Sequence, residues 1–167
     1  MAILETLLPA MRERGSGTIA NVTSLGGTMT FPFFGAYNST KWGMEGVSEG
    51  LWHELKPFGI RVKAIQPGYV QTEIWSKALP GQDSEIVGTD AYRPYMRAML
   101  AFEHRITNRT TPEDAAAEIA EAIDDDSDRL RYPVAAYARP IIRARRLLGD
   151  QRMMRIFHKR WMGESDR

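Results

Sequence analysis

The sequence predicts an α/β fold built on a parallel sheet. Residues 17–24 and 60–68 are short apolar segments with turn residues at their ends, as is typical of buried strands. Between them, residues 36–56 carry a helical pattern that Pro57 and Gly59 end. A strand, a long helix and a second strand in this order form a βαβ unit, in which the strands run parallel and the crossover is right-handed.

A further helix is predicted before the first strand. Apolar residues of the opening segment recur at helical spacing, and Gly15 marks the end of the pattern. Pro9 lies inside the pattern and would bend the helix or mark a later start of it. No N-cap residue precedes the apolar face, so the segment is expected to be part of a longer helix. The predicted buried face consists of Ile3, Leu4, Leu7, Leu8 and Met11.

The second half of the chain has a less regular pattern. Residues 72–111 predict a loop with one or two short helices. Thr111 and Pro112 predict the start of a helix, with Thr111 as its N-cap. Residues 130–138 are expected to form a third short strand, and residues 139–163 a basic helix.

Charge is unevenly distributed in this half. Residues 113–128 contain eight acids and no base, whereas residues 139–160 contain eight Lys or Arg residues and one acid. Two solvated helix faces are the simplest interpretation. An anionic membrane surface or a phosphate-bearing partner is the alternative for the basic segment, whose apolar residues are otherwise expected to pack onto the domain or a partner subunit.

Composition excludes several classes of function. The chain of 167 residues has no cysteine, which excludes disulfides, zinc thiolate sites and cysteine nucleophiles. Its three histidines lack the spacing of metal ligands, and its net charge of +1 gives no field for nucleic acid. No apolar run approaches the roughly 18 residues of a membrane span. A signal peptide is not predicted, and the expected location is the cytoplasm.

Tyr37 and Lys41 are a candidate catalytic pair. Side chains four residues apart lie on one face of a helix, and a neighbouring ammonium favours the charged form of a phenol. Such a pair can donate and accept a proton near neutral pH. An incidental Tyr and Lys on a solvated helix is the alternative, because short motifs have many false positives.

An ordered set of motifs surrounds this pair. Ser24 ends the first predicted strand, Tyr37-x-x-x-Lys41 follows, and the sequence PGYVQT, residues 67–72, ends the second predicted strand. In an open parallel sheet, ligands bind beyond the carboxyl ends of the strands. In order and spacing, this set resembles the short-chain dehydrogenase/reductase family over most of the chain. The resemblance implies the C-terminal part of a Rossmann-like, doubly wound parallel sheet, with about three strands and flanking helices.

The resemblance also implies roles for individual residues. Tyr37 would exchange a proton with an alcohol or carbonyl oxygen, Ser24 would bond the same oxygen, and Lys41 would assist Tyr37 and bond the nicotinamide ribose. The implied cofactor is NAD or NADP. A strand-end turn is the alternative role for Ser24, and a helix cap is the alternative role for Thr72. The implied cofactor contacts are Tyr37, Lys41, Pro67, Gly68, Val70 and Thr72.

The expected substrate is an alcohol or carbonyl compound of low molecular mass, that is, a small molecule and not a macromolecule. Ser24, Phe33, Tyr69 and Trp75 are the candidate substrate contacts, and the aromatic residues favour a bulky hydrophobic molecule. Packing in the core or in a lid is an equal alternative for each aromatic ring. No metal site is predicted.

Residues 1–167 are expected to form a single domain that lacks the family's N-terminal dinucleotide-binding half. The predicted parts are a catalytic unit at 17–72, a substrate loop at 73–111 and a C-terminal helix, strand and basic helix at 112–167. No glycine-rich turn follows a first strand, so these residues alone are expected to bind cofactor poorly. The complete protein is expected to be a homo-oligomer.

Two hypotheses of function therefore remain open. The chain belongs to an NAD(P)-dependent oxidoreductase with an incomplete sequence, or it is an inactive remnant or interaction module that uses its basic C-terminal helix. The spaced Ser, Tyr and Lys favour the first.

Overall fold

The protein contains a three-stranded parallel sheet in a computed structural model that describes residues 2–73 and 90–162. Strands β1 (Gly17–Val22), β2 (Ile60–Pro67) and β3 (Arg131–Val134) lie in the order β1-β2-β3. The register pairs Gly17 with Ile60 and Ala64 with Arg131. Side chains on both faces of β2 are buried, as is typical of parallel sheets covered by helices on both sides. The predicted α/β class is confirmed.

Six helices surround this sheet among the described residues. Three short 3-10 turns, Leu25–Gly27, Lys56–Phe58 and Asp90–Tyr92, lie between them. Thr111 caps the fourth helix, because its hydroxyl accepts the backbone N–H of Asp114 at 3.1 Å, and this confirms the predicted helix start. The helices are α1 (Ala2–Arg14), α2 (Gly35–Leu55), α3 (Arg93–His104), α4 (Pro112–Asp124), α5 (Ala138–Leu148) and α6 (Asp150–Met162).

The helices α1 and α2 cover one face of the sheet, and α4 covers the other. Alternate residues of β2 point to opposite faces. Val62 therefore packs with Leu55 of α2, whereas Ile65 packs with Ala122 of α4. Only part of the predicted face of α1 is buried, however. Leu4, Leu8 and Met11 pack on the core, but Ile3 and Leu7 are 74% and 50% exposed, which corrects the prediction.

The basic C-terminal segment forms two helices rather than the one helix predicted. Gly149 separates α5 from α6 with a φ of 77°, a left-handed conformation that glycine adopts without a steric penalty. Met99 and Leu100 of α3 pack with Trp161 of α6. No described helix is long and apolar enough to cross a bilayer.

Lys63 is a fully buried lysine on the central strand. Its ammonium donates to the carbonyl oxygen of Ala122 at 2.7 Å and to that of Asp125, both at the C-terminal end of α4. Burial lowers the pKa of Lys63, and the Asp125 carboxylate opposes this shift. Because last-turn carbonyls lack partners within their helix, this lysine joins α4 to the sheet.

A buried carboxylate joins α2 to all three described strands. Glu45 accepts hydrogen bonds from the Thr23 hydroxyl at 2.6 Å, from Gln66 Nε2 at 3.0 Å and from Arg131 Nε at 2.9 Å. Thr23 follows β1, Gln66 lies in β2 and Arg131 begins β3. One side chain therefore holds all three described strands against α2.

We expect Glu45→Ala to lower the free energy of unfolding by about 3 kcal/mol, because it leaves buried donors unpaired. Urea denaturation followed by circular dichroism measures the loss. Glu49→Ala is the matched control, since Glu49 also bonds Arg131, at 2.5 Å, but is exposed to solvent. Equal losses for the two variants would contradict the importance of the buried contacts.

Candidate active site

The candidate site lies at the carboxyl edge of the sheet. Val22, the last residue of β1, pairs with Ile65 near the end of β2. Because the strands are parallel, the segments that follow them leave the sheet at the same edge. Ser24 is in the first of these segments, and Pro67 and Gly68 are at the start of the second.

Ser24 precedes the turn Leu25–Gly27 and caps it. Its backbone is extended, with φ −175° and ψ 161°, and its hydroxyl oxygen accepts the N–H of Gly26 at 3.0 Å. This is the turn role considered as the alternative in the sequence. The side chain is only partly buried, and its hydroxyl proton can still be donated to another group.

Gly26 brings Ser24 and Tyr37 together. A Cβ atom at Gly26 would stand 3.4 Å from Ser24 Oγ, 3.2 Å from Tyr37 Cε1 and 2.6 Å from Asn38 Nδ2. The last distance is shorter than real Cβ contacts, so only glycine fits without displacement. The serine hydroxyl and the Tyr37 ring therefore both lie close to this one small residue.

Tyr37 and Lys41 are held on one face of α2. Tyr37 is the third residue of the helix, is 42% exposed and meets Phe34 edge to face at 6.4 Å between ring centroids. Lys41 Nζ lies 5.9 Å from the centroid of the Tyr37 ring and donates to the carbonyl oxygen of Val22 at 3.1 Å. The carbonyl group of Val22, the last residue of β1, therefore holds the Lys41 ammonium near the Tyr37 ring. Val22 lies two residues before Ser24 in the sequence.

Asn38 organises this site and was not predicted from the sequence. Its side chain is buried, donates to the carbonyl oxygens of Gly26 at 2.9 Å and Met29 at 3.3 Å, and accepts the N–H of Phe31 at 3.2 Å. These bonds attach the first turn of α2 to the loop that follows β1. Asparagine is unfavourable inside helices, so its position next to Tyr37 was the available signal.

The Pro-Gly segment after β2 lies against the chain that follows β3. Gly68 donates to the carbonyl oxygen of Val134 at 3.0 Å, and a Cβ atom at this position would stand 2.0 Å from the Ala136 oxygen. Val70 forms an isolated bridge with Thr110. Thr72 is exposed. The path of residues 67–72 is therefore set by backbone pairing.

The predicted substrate contacts occupy different environments. Phe33 is exposed, has a positive φ of 66° and meets the Tyr92 ring edge to face at 6.1 Å. Tyr69 is buried, with its ring centroid 5.5 Å from that of Tyr137. Trp75 lies outside the described residues.

A cavity of about 330 Å³ is bordered by the loop that precedes Tyr37 and by the helices α5 and α6. Neither Ser24 nor Tyr37 lines it. The described residues contain no group of three or more His, Asp or Glu side chains able to hold a metal ion. The cavity lining is mainly apolar and includes Met29, Phe31, Pro32, Met153 and Phe157 together with Arg145.

Comparison with known proteins identifies the family. The family model described as short chain dehydrogenase matches residues 1–83. An uncharacterized oxidoreductase of Schizosaccharomyces pombe is 31% identical over 163 residues, which cover 98% of this chain and 67% of the relative. The chain belongs to the short-chain dehydrogenase/reductase family. The resemblance inferred from the serine, the Tyr-x-x-x-Lys pair and the Pro-Gly segment is confirmed.

Solved structures of short-chain dehydrogenases also match the fold. A short-chain dehydrogenase of Streptomyces avermitilis is 32% identical with a TM-score of 0.69, and the match covers 95% of this chain and 55% of that protein. A xylitol dehydrogenase bound to NAD+ is 26% identical with a TM-score of 0.60, over 80% of this chain and 53% of that protein. The chain therefore spans between about half and two thirds of the length of these relatives.

We expect Gly26→Ala to lower the free energy of unfolding by about 1–3 kcal/mol, because the added methyl group displaces Asn38 or the Tyr37 ring. Gly43→Ala is the matched control in the middle of α2, where a Cβ atom meets open space. This control should raise stability by up to about 1 kcal/mol, since alanine favours helices. Thermal and urea unfolding measure both changes, and a neutral Gly26→Ala variant would refute the tight packing described.

Proposed function

We propose that the full-length protein is an NAD(P)-dependent oxidoreductase that interconverts an alcohol and a carbonyl compound. The observation that carries this proposal is the convergence of Ser24, Tyr37 and Lys41 at the carboxyl edge of the sheet. The family membership of the chain supports the reaction class, because this arrangement occupies the edge where open α/β sheets bind ligands.

Tyr37 is the proposed proton donor and acceptor. Its ring is solvent-accessible at the start of α2, so a substrate oxygen can reach its hydroxyl. During carbonyl reduction the phenol gives its proton to the oxygen, and during alcohol oxidation the phenolate takes it back. Ser24 holds the same oxygen by donating its hydroxyl proton, while its own oxygen accepts from Gly26.

Lys41 is placed to bind the cofactor. An ammonium group has three N–H donors, and the bond to Val22 uses one of them. The remaining donors suit the hydroxyl groups of a nicotinamide ribose, so the residues present fit the cofactor. When bound, NADH or NADPH would supply the hydride for carbonyl reduction, and NAD+ or NADP+ would accept it during alcohol oxidation. The NAD+-bound state of the related xylitol dehydrogenase supports this choice of cofactor.

The remaining proposed contacts surround this centre. Pro67, Gly68, Val70 and Thr72 follow the strand next to β1 and would border the nicotinamide. We favour an apolar substrate, because Phe33 lies in the loop before Tyr37 and meets the ring of Tyr92, and both rings are exposed. Oligomerisation of the full-length protein is part of the same proposal.

The test is a fusion protein. Because the relatives are longer than this chain, a segment of one relative is joined to it. Residues 1–167 are joined behind the preceding residues of the Streptomyces avermitilis dehydrogenase, and carbonyl-dependent oxidation of NADH and NADPH is measured. In this fusion we expect Tyr37→Phe to lower kcat at least about 100-fold, because the proton donor is lost. Cofactor affinity, measured by fluorescence titration, should change little.

Tyr95→Phe is the matched control, since it removes a phenol oxygen from another helix, and it should retain the activity of the parent. Retained turnover in Tyr37→Phe would refute the proposed role. A folded fusion that binds cofactor but reduces no carbonyl compound would favour the inactive interaction module instead.

A further inference from the structure

The two C-terminal helices expose an unusual number of large apolar side chains. Leu147 is 85% exposed and Met154 is 62% exposed, and Leu148 and Ile156 are also exposed. All four lie within ten residues around the Gly149 junction between α5 and α6. Exposed apolar groups are normal when scattered, but a concentration of them on one segment indicates a binding surface.

The same segment carries arginines that form no ion pair with an acid in the described part of the chain. Arg143, Arg146, Arg152 and Arg155 have no ion pair or hydrogen bond with any residue that the structure describes. Asp150, the one acid between residues 139 and 160, accepts from Arg145 at 2.8 Å and is therefore already engaged. Arg139 is likewise paired, with Glu118 at 3.1 Å. The four unpaired charges are available to an external anion.

Helical geometry places these groups on the outer faces. In α6 the buried residues Met153 and Trp161 define the inner side, and Arg152, Arg155 and Ile156 project away from it. In α5 the buried residues are Ala138 and Ile142, Arg143 and Leu147 lie on the opposite side, and Arg146 is exposed at the edge of the buried side. Cationic and apolar side chains are thus interleaved on each outer face.

We propose that this C-terminal helix pair, residues 138–162, docks on the surface of an anionic lipid bilayer. The arginines bind phosphate groups of the lipids, while Leu147 and Ile156 enter the boundary between head groups and acyl chains. The binding is peripheral, because no described helix is long and apolar enough to span a bilayer.

Other anionic partners fit this surface less well. A nucleic-acid backbone would pair with the arginines but would leave the exposed leucines in water. A second copy of the same helix pair would bury the leucines but would bring two sets of uncompensated arginines together, which costs free energy. A bilayer with anionic lipids satisfies both the charge and the apolar side chains.

Flotation with vesicles tests this proposal and separates bound protein from aggregates, which sink. The probes are vesicles of phosphatidylcholine alone and vesicles of phosphatidylcholine mixed with phosphatidylglycerol. The chain should float with the mixed vesicles only, and raising the salt to about 1 M should release it, because screening shortens the Debye length to about 3 Å. Binding to both kinds of vesicle, or binding unaffected by salt, would overturn the proposal.

Arginine substitutions on two different helices test which surface of the protein binds the lipid. Arg152→Gln combined with Arg155→Gln should weaken partitioning about thirtyfold, since each arginine near an anionic surface strengthens binding about fivefold. Arg12→Gln combined with Arg14→Gln on α1 makes the same change in net charge and should leave partitioning within about twofold, because on our proposal α1 does not contact the lipid. Equal effects of the two double variants would refute the assignment to the helix pair.

Leu147→Ser provides a second test that does not depend on charge. The side chain is so exposed that the substitution should not disturb folding, which circular dichroism checks. It should weaken partitioning at least about threefold through lost apolar burial. Unchanged partitioning would show that the helix pair does not insert, and arginine-dependent self-association in light scattering without vesicle binding would identify a second copy as the partner instead.

Discussion

The buried carboxylate of Glu45 is the contact on which the rest of the site depends. It accepts from Thr23, Gln66 and Arg131, so one helix residue contacts the ends of β1 and β2 and the start of β3. The two oxygens of a carboxylate have enough lone pairs to accept all three hydrogen bonds. An apolar residue of similar size could accept none of them. Thr23 immediately precedes Ser24, and Gln66 immediately precedes Pro67. The same bonds therefore set the starting points of both segments that form the candidate active site.

Asn38 performs a similar task in the first turn of α2. Glu45 positions the strands relative to α2, and Asn38 then positions the loop after β1 relative to the first turn of that helix. Between these two side chains on the helix lies Lys41, whose ammonium bonds the last residue of β1. Three polar residues of one helix thus connect to β1 or the loop that follows it. An arrangement held this tightly restricts where Ser24 and Tyr37 can move, which is the preorganisation that proton transfer requires.

Sequence reasoning reached the α/β class because this class depends on local patterning, and it proposed Ser24, Tyr37 and Lys41 from an ordered set of motifs that resembles the short-chain dehydrogenase/reductase family. The period of the apolar residues defines a helix or a strand, and i, i+4 spacing places Tyr37 and Lys41 on one face. Glu45 was out of reach, because its partners Thr23, Gln66 and Arg131 lie 22, 21 and 86 residues away along the chain. Asn38 gave only the signal of an asparagine inside a predicted helix. The partial exposure of α1 and the break at Gly149 were missed for a related reason. Periodicity shows that a face is apolar, but it does not show which residues a neighbouring element covers.

The C-terminal helix pair is physically connected to the candidate active site. Phe31 stacks on Trp161 of α6 with ring centroids 5.0 Å apart and meets Phe157 at 5.9 Å. The backbone N–H of Phe31 in turn donates to the side-chain oxygen of Asn38. The Asn38 amide nitrogen also donates to the carbonyl oxygen of Gly26, the residue that lies close to both Ser24 and Tyr37. Any force that displaces α6 must therefore deform this aromatic packing before the helix can separate from the loop. Since tightly packed side chains transmit small displacements, the surface that we assign to lipid and the site that we assign to proton transfer share one structural support.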